Sequence, residues 1–242
     1  MPGTEKEKRG ELEGGLATLT PTDEEVHYLW YYYVTASIMV PHVRRRLRRA
    51  WGFCERHAWM VLMVEASLRR SFLMGPTVLY NDILGRAASV LHAGGPLRRM
   101  RLLVGLHDRG RCLICSMKLK PSQRPYAAVD VIERSRDATP LIDFALSTKE
   151  HWDDLVCGSC REDDSPVRCR RHLIEDLWKG TAGDIDEHRK HLALIRRNLA
   201  AYGRSFRWEN RGTDTPEERA SILEAVGWCS GWQPLLKMLP DK

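Results

Sequence analysis

The chain lacks the short motifs that mark familiar catalytic machinery: it has no P-loop, no GxGxxG, no GxSxG and no HExxH. This leaves no phosphate-cradling loop, dinucleotide fingerprint, nucleophile elbow or metalloprotease helix to read. A long apolar run is also missing. The most apolar stretch, Val26 to Val43, is interrupted by His27, Thr35, Ser37, Pro41 and His42, too short and mixed to span a bilayer. Met1 to Gly15 is polar and charged with no apolar h-region, so no secretory signal is expected. No tandem repeat with a period of about 20 to 50 residues is present. The expected compartment is the cytoplasm, where thiols stay reduced and clustered cysteines point to metal binding or catalysis rather than disulfides.

What is present is an ordinary globular composition, 43% hydrophobic and 29% charged, over 242 residues, enough for a real hydrophobic core. The formal charge is +6, carried by arginine far more than by lysine, 29 against 9. Three basic clusters stand out: Arg44, Arg45, Arg46, Arg48 and Arg49; Arg98, Arg99 and Arg101; and Arg168, Arg170 and Arg171. The first and third are candidate faces for nucleic acid. The competing reading is solvated helix faces tied up in ion pairs, because the net charge is modest.

The pattern along the chain is mainly α. Residues 1–20 are rich in Gly, Glu and Lys and are expected to be disordered, with a helical zinc-binding domain over 21–242. A helix should begin at Thr20-Pro21-Thr22-Asp23, where a capping threonine, a proline and acidic residues follow one another, and run to about Val40 before Pro41. Its aromatic run, Trp30 and Tyr31 to Tyr33, reads as a packing surface rather than a base-stacking one. Further helices are expected over His42–Ala50, His57–Phe72, Pro76–Leu91, Pro140–Asp154, His172–Lys179 and Asp184–Tyr202. Gly94-Gly95-Pro96 is a break, Pro121 to Pro125 a loop, and Ala127–Ile132 reads as a short strand. A last helix is marked by Thr215-Pro216-Glu217-Glu218 at its start and Gly227 at its end.

The chemistry sits in four two-residue half-sites of identical spacing: Cys54-x-x-His57, Cys112-x-x-Cys115, Cys157-x-x-Cys160 and Cys169-x-x-His172. Each such turn can point two soft ligands at one ion, so four half-sites make two tetrahedral zinc sites. Two histidines favour zinc over an iron–sulfur cluster. Three pairings are possible. The eight-residue gap between Cys160 and Cys169 favours closing those two half-sites on each other, leaving Cys54/His57 for Cys112/Cys115. Cys112/Cys115 with Cys169/His172 is the second pairing, and one all-cysteine site beside a two-cysteine, two-histidine site is the third. A shell of four protein ligands leaves no position for an activated water and contributes folding energy instead.

Several residues near these half-sites could act in catalysis if one zinc were open. They are Glu150, His151, Asp153, Asp154, Glu162, Asp163 and Asp164, which read more simply as solvated charges. His188 and His191 lie three apart on one helix and, without a third ligand, read as surface histidines; Cys229 reads as a buried small hydrophobe.

Gly52-Phe53-Cys54-Glu55-Arg56-His57-Ala58-Trp59, followed by Gly75-Pro76-Thr77-Val78-Leu79-Tyr80-Asn81-Asp82, resembles a family of bacterial cytosolic proteins of unassigned function. Its members carry a GFCxxHAW segment, a G-x-x-x-LY-x-D helix, a CxxC and a later CxxH, which Cys112/Cys115 and Cys169/His172 resemble here. The tail, Tyr202 to Trp208 and Pro216 to Gly227, is similar too, so the resemblance covers residues 40–230. It departs at one point. The family usually opens with a further CxxC upstream, whereas everything from Met1 to Phe53 lacks cysteine. If Cys157/Cys160 replaces it, the resemblance implies the second pairing, against loop closure.

The expectation is a mainly α body stapled by two zinc ions, acting as a binding or accessory module for a nucleic acid, protein or small-molecule partner and not for a membrane. The rivals are a zinc-dependent enzyme of a specialised bacterial pathway and a nucleic-acid-binding regulator using the arginine faces.

Overall fold

The computed structural model describes residues 19–34, 40–69, 73–117, 119 and 127–239. The expected disorder over 1–18 and the Pro121–Pro125 loop lie outside them. Leu19, which the sequence placed in the disordered segment, is buried against the core. Among the described residues every regular element is helical.

The chain opens with α1 (Asp23–Tyr28), started by Thr22 in a capping box with Glu25 and continued as a π-helical turn over Leu29–Val34. Within the aromatic run Trp30 packs against the Val26 cluster and Tyr31 is 47% exposed, while the side chains of Tyr32 and Tyr33 lie outside those described. Next come α2 (Pro41–Arg49), α3 (Glu55–Arg69), α4 (Met74–Leu91), α5 (Arg98–Leu106) and the single turn α6 (Leu113–Ser116). α7 (Val129–Ser135) replaces the expected strand. Its Val-Asp-Val-Ile run alternates like a strand, but Ile132 and Ser135, one turn apart, are the buried positions while Val129 is 68% exposed. Ile132 packs with Val26 and Ala127 in a small satellite cluster, and the Ala127 N–H donates to His27 Nδ1 at 2.7 Å.

The expected Pro140–Asp154 helix is divided into α8 (Thr139–Ser147), α9 (Lys149–Trp152) and a 3-10 turn over Asp153–Leu155. The last stretch comprises the single turn α10 (Gly158–Arg161), then α11 (Arg170–Lys179), α12 (Ile185–Ser205), α13 (Pro216–Ser230) and α14 (Gln233–Met238). α14 carries no sequence signal strong enough to mark it in advance.

α13 is the central rod of the body. Every residue from Ala220 to Ser230 is buried, as expected for a helix packed on all sides, and it meets α12, α4, α9, α11 and α3. Its cap is the expected one: the Thr215 hydroxyl accepts from Glu218 N–H and the Glu218 carboxylate accepts from Thr215 N–H. The helix does not stop at Gly227. It runs one turn further, and Gly227 is the place where the Trp232 ring lies against the helix: a Cβ there would fall 2.1 Å from a ring carbon. Trp232 stacks on Trp152 (5.8 Å between centroids, 19° between planes) and tilts against Trp59 (6.1 Å). The indole N–H of Trp59 donates to Gly231 C=O at 2.8 Å.

The turn after α2 aims the first half-site. Trp51 takes a left-handed conformation (φ 57) and Gly52 follows at φ 98. The Gly52 N–H reaches Leu47 C=O at 2.8 Å and the Trp51 N–H reaches Arg48 C=O at 3.4 Å, the two bonds of a Schellman ending. A tryptophan is costly in that conformation. Its ring is fully buried against Trp228, with the Arg86 guanidinium 4.0 Å from the ring centroid, which offsets the strain. Gly52 itself lies against Tyr80, whose hydroxyl oxygen would be 3.0 Å from a Cβ.

Glu224, buried on α13, and His191, half-buried on α12, set a pH dependence. Burial, reinforced by Glu217, pushes the Glu224 carboxyl up to about 8, and burial with the neighbouring His188 pushes His191 down to about 4. A raised acid loses its stabilising protonation as pH rises from its unfolded value through 8. A depressed histidine loses its stabilising neutrality as pH falls from its unfolded value through 4. Glu224→Gln should therefore raise stability at pH 9 by more than about 1 kcal/mol and leave it nearly unchanged at pH 4, read by thermal denaturation at both pH values. Gly227→Ala should cost about 1–3 kcal/mol or more at any pH, because the Trp232 ring must move. An unchanged melting midpoint would contradict that packing.

Candidate metal centres

All four half-sites use the same local geometry. Cys112, Cys157 and Cys169 are the N-caps of α6, α10 and α11, and Cys54 stands immediately before α3. Each cysteine carbonyl accepts the first helical bond: from Ala58 to Cys54 at 2.9 Å, Ser116 to Cys112 at 3.0 Å, Arg161 to Cys157 at 3.0 Å and Leu173 to Cys169 at 2.8 Å. The second ligand is the third helical residue, which one helical turn brings back beside the cap. An x-x spacing at a helix start thus places both donors on one side.

The half-sites converge in pairs. Cys54, His57, Cys112 and Cys115 form one cluster and Cys157, Cys160, Cys169 and His172 the other, with all donor atoms of a cluster within 4.8 Å of one another. This is the pairing favoured by loop closure; the pairing implied by the family resemblance is not the one adopted. The eight residues between Cys160 and Cys169 fold back on themselves, with Gly158 N–H donating to Val167 C=O at 3.0 Å, so the short loop closes locally.

The spacing fits a tetrahedral shell. With metal–sulfur bonds of about 2.3 Å, sulfurs lie about 3.8 Å apart. The Cys54–Cys115 and Cys160–Cys169 Sγ separations are 3.8 and 3.9 Å. Both histidines present Nδ1: His57 Nδ1 lies 3.1, 3.5 and 3.3 Å from the sulfurs of Cys54, Cys112 and Cys115. His172 Nδ1 lies 3.2, 3.5 and 3.3 Å from those of Cys157, Cys160 and Cys169. Three sulfurs and one imidazole nitrogen turned to a common point repel one another once the thiols ionise, and a divalent cation of zinc type suits that donor set. One thiol per cluster is already held low by its neighbours, Cys112 by Cys54 and His57, and Cys157 by Cys160 and Cys169.

The two clusters differ in setting. Cys54 and Cys115 reach the surface, whereas Cys157, Cys160 and Cys169 are buried. The first is buttressed: His57 Nε2 lies 2.9 Å from Glu25 Oε1 and 2.7 Å from Arg56 Nη1, and with Nδ1 turned to the sulfurs to ligate, Nε2 keeps the proton that the carboxylate accepts. Glu25 also accepts from Arg56 at 2.7 and 3.0 Å and from Thr22 N–H at 2.9 Å. Burial alone would raise its carboxyl, but these hydrogen bonds hold it well below the usual carboxylate range. The second cluster is tied to α14 through Gln233, whose amide donates to Cys160 C=O.

The residues between the ligands join the two clusters. Glu55, next to Cys54, takes Arg171 of the Cys169 half-site at 2.9 Å. Arg170 is buried; it donates to Cys229 C=O at 3.0 Å and Leu106 C=O at 2.7 Å and pairs with Asp108 at 3.1 Å. Arg168 pairs with Asp176 at 2.8 Å and donates to the carbonyls of Ser165 and Val167. Arg168 and Arg170 are thus engaged by internal contacts beside a half-site that must be packed, whereas Arg171 is exposed. Of the other cluster, Arg44 and Arg48 pair with Asp82 and Arg46 donates to Ser116 at 2.7 Å, while Arg45 and Arg49 are exposed.

The remaining candidates fall outside the clusters. Asp153 pairs with Arg161 at 2.8 Å and Glu150 with His151 at 3.2 Å, and no flanking acid joins the ligand sets. His188 is buried and His191 half-buried, so neither is the surface histidine expected; α12 turns both toward the body. Cys229 is fully buried, which pushes its thiol up to about 12, as a small hydrophobe requires. Glu25, Glu55, Arg56 and Gln233 have no distinguishing motif in the sequence. Only the Thr-x-x-Glu start of α1 points at Glu25, and it signals a cap rather than a buttress.

No family model matches the chain, and no curated protein or solved structure matches it either. The residues that carry the family resemblance have packing roles here. Gly52 meets Tyr80, Asp82 holds Arg44 and Arg48, and the Gly75 N–H donates to the buried carboxylate of Glu65 at 2.8 Å.

Glu25→Ala should weaken metal binding at the first cluster by about 10–100-fold and leave the second unchanged. Competition with a chromophoric chelator measures both affinities. Equal weakening of the two, or none, would contradict the buttress.

Proposed function

We propose that the protein binds two zinc ions whose role is structural, and that it acts as a binding or accessory module rather than as an enzyme. The donor sets carry this reading: each cluster supplies four protein ligands at the spacing of a complete tetrahedral shell. A catalytic zinc keeps a position for water or substrate, and neither cluster offers one. The ligands of each cluster come from two different helix starts. The first cluster joins the start of α3 to α6, and the second joins α10 to α11, so a bound ion ties helix ends that packing alone holds less firmly. When bound, the metal supplies no more than charge neutralisation and cross-linking. The reducing compartment such thiolates need is the cytoplasm, and the bacterial family resemblance supports the same kind of protein.

Elemental analysis of purified protein should find close to two zinc ions per chain. Removing them with a strong chelator should lower the melting midpoint by at least about 5–10 °C, the equivalent of a few kcal/mol for a chain of this size. Cys157→Ser should do the same. Zinc well below one equivalent, or a metal-free protein with an unchanged midpoint, would reject the structural role. A Cys→Ser variant that keeps its midpoint and loses a measured activity would favour the enzyme.

A further inference from the structure

Four of the eleven exposed large apolar side chains among the described residues gather in one place, while the other seven are scattered. Leu97, Met100 and Val104 are 54%, 60% and 57% exposed and fall on one stripe of α5; Trp178, at the end of α11, is 65% exposed. They line a groove of about 650 Å³ together with Leu103, Arg99, His107 and Arg109. Large apolar groups gathered on a monomer surface and rimmed by polar residues mark an interaction site.

The groove is built on a rigid base. α5 and α11 are antiparallel and pinned at both ends. Arg99, near the start of α5, donates to the carbonyls of Leu177 and Trp178 at 2.6 and 2.7 Å, at the end of α11. Arg170, at the start of α11, holds Leu106 C=O and Asp108 beyond the end of α5. Cys169 and His172 of the second metal cluster lie in the same first turn of α11. The apolar side chains are thus presented in advance of any partner, which lowers the cost of binding.

We infer that this groove docks an amphipathic helix of a partner protein, with its apolar face on Leu97, Met100, Val104 and Trp178 and its acidic face toward Arg109. This rests on the reading of the chain as a binding module and names its partner. The groove follows α5 from Pro96 to Arg109 and is bounded at one end by Trp178 of α11, a trough that accepts an amphipathic helix. The stripe at 97, 100 and 104 covers two turns, the footprint of such a helix. Charge sets the polarity of the partner. Arg109 is exposed, and its guanidinium makes a single long bond, to Val104 C=O at 3.4 Å. The one acid in the lining, Asp108, is already matched by Arg170. The cationic end continues into α2, since Arg109 N–H donates to Arg49 C=O at 2.8 Å; Arg49 and Arg111 are exposed, as is Arg45 one turn back on α2. A nucleic acid would leave the apolar stripe unused, and a bilayer is flat where this site is concave.

The test uses the zinc-loaded full chain and a fluorescent helical peptide of about five turns, with leucine on one face and glutamate on the other. The peptide should bind saturably, and its affinity should fall at least tenfold on Met100→Glu and on Arg109→Glu while Arg109→Lys retains most of it. The same peptide with lysine for glutamate should bind at least tenfold more weakly. Zinc content and melting midpoint, recorded on each sample, should not change, since these side chains are exposed, so a fall in affinity at unchanged zinc content reads the groove and not the metal sites. No binding of the acidic peptide by folded, zinc-loaded protein would overturn the proposal. So would binding indifferent to Met100→Glu, or preferential binding of duplex DNA or phosphatidylglycerol vesicles that the same substitutions abolish.

Discussion

Everything around the two clusters depends on one local constraint: a cysteine at a helix start with a second donor three residues on. The backbone bonds of the first turn aim both side chains the same way, and the ligands need no help from distant packing to form a pair. What distant packing must do is bring two such turns together. The short return from Cys160 to Cys169 does this within one loop. For Cys54/His57 and Cys112/Cys115 it takes the Schellman turn at Trp51 and Gly52, and the bond from Arg109 to Arg49 that lays the second turn against the end of α2.

The positions between the ligands are held as firmly as the ligands themselves. Glu55, Arg56, Arg170 and Arg171 each grip another part of the chain, so the half-sites act as junctions in both directions: inward to the ion and outward to neighbouring helices. Two arginines of the third basic cluster, Arg168 and Arg170, are engaged internally in this way. Arg170 is buried against Trp51, Leu106 and Cys229, where a charge survives because carbonyls and Asp108 satisfy its donors.

Much of the fold was legible in the sequence. The capping box at Thr215, the break at Gly94-Gly95 and the apolar spacing of α3 and α4 are local signals, and the helices they mark are present; at the first helix the cap is Thr22 with Glu25 rather than the threonine before Pro21. The misreadings share a cause. Ala127–Ile132 alternates like a strand, but its burial against Val26 imposes the helical period. Gly227 looks like a helix end, yet its lack of a side chain serves the Trp232 ring. His188 and His191 look like surface groups because sequence spacing does not say which face of α12 turns inward.

Four half-sites of one spacing and a mainly α-helical body between them are legible from neighbours along the chain; that each half-site opens a helix emerged only with the structure. The sequence by itself left the pairing open between loop closure and family likeness, and it was silent on Glu25. Tertiary structure decided both. Which half-sites meet, and which carboxylate receives the second nitrogen of His57, depend on contacts between residues far apart in sequence, and no local pattern encodes those. The same holds for the groove of α5 and α11, whose apolar stripe is visible as spacing but whose exposure is set by the arginines that pin the two helices from opposite ends.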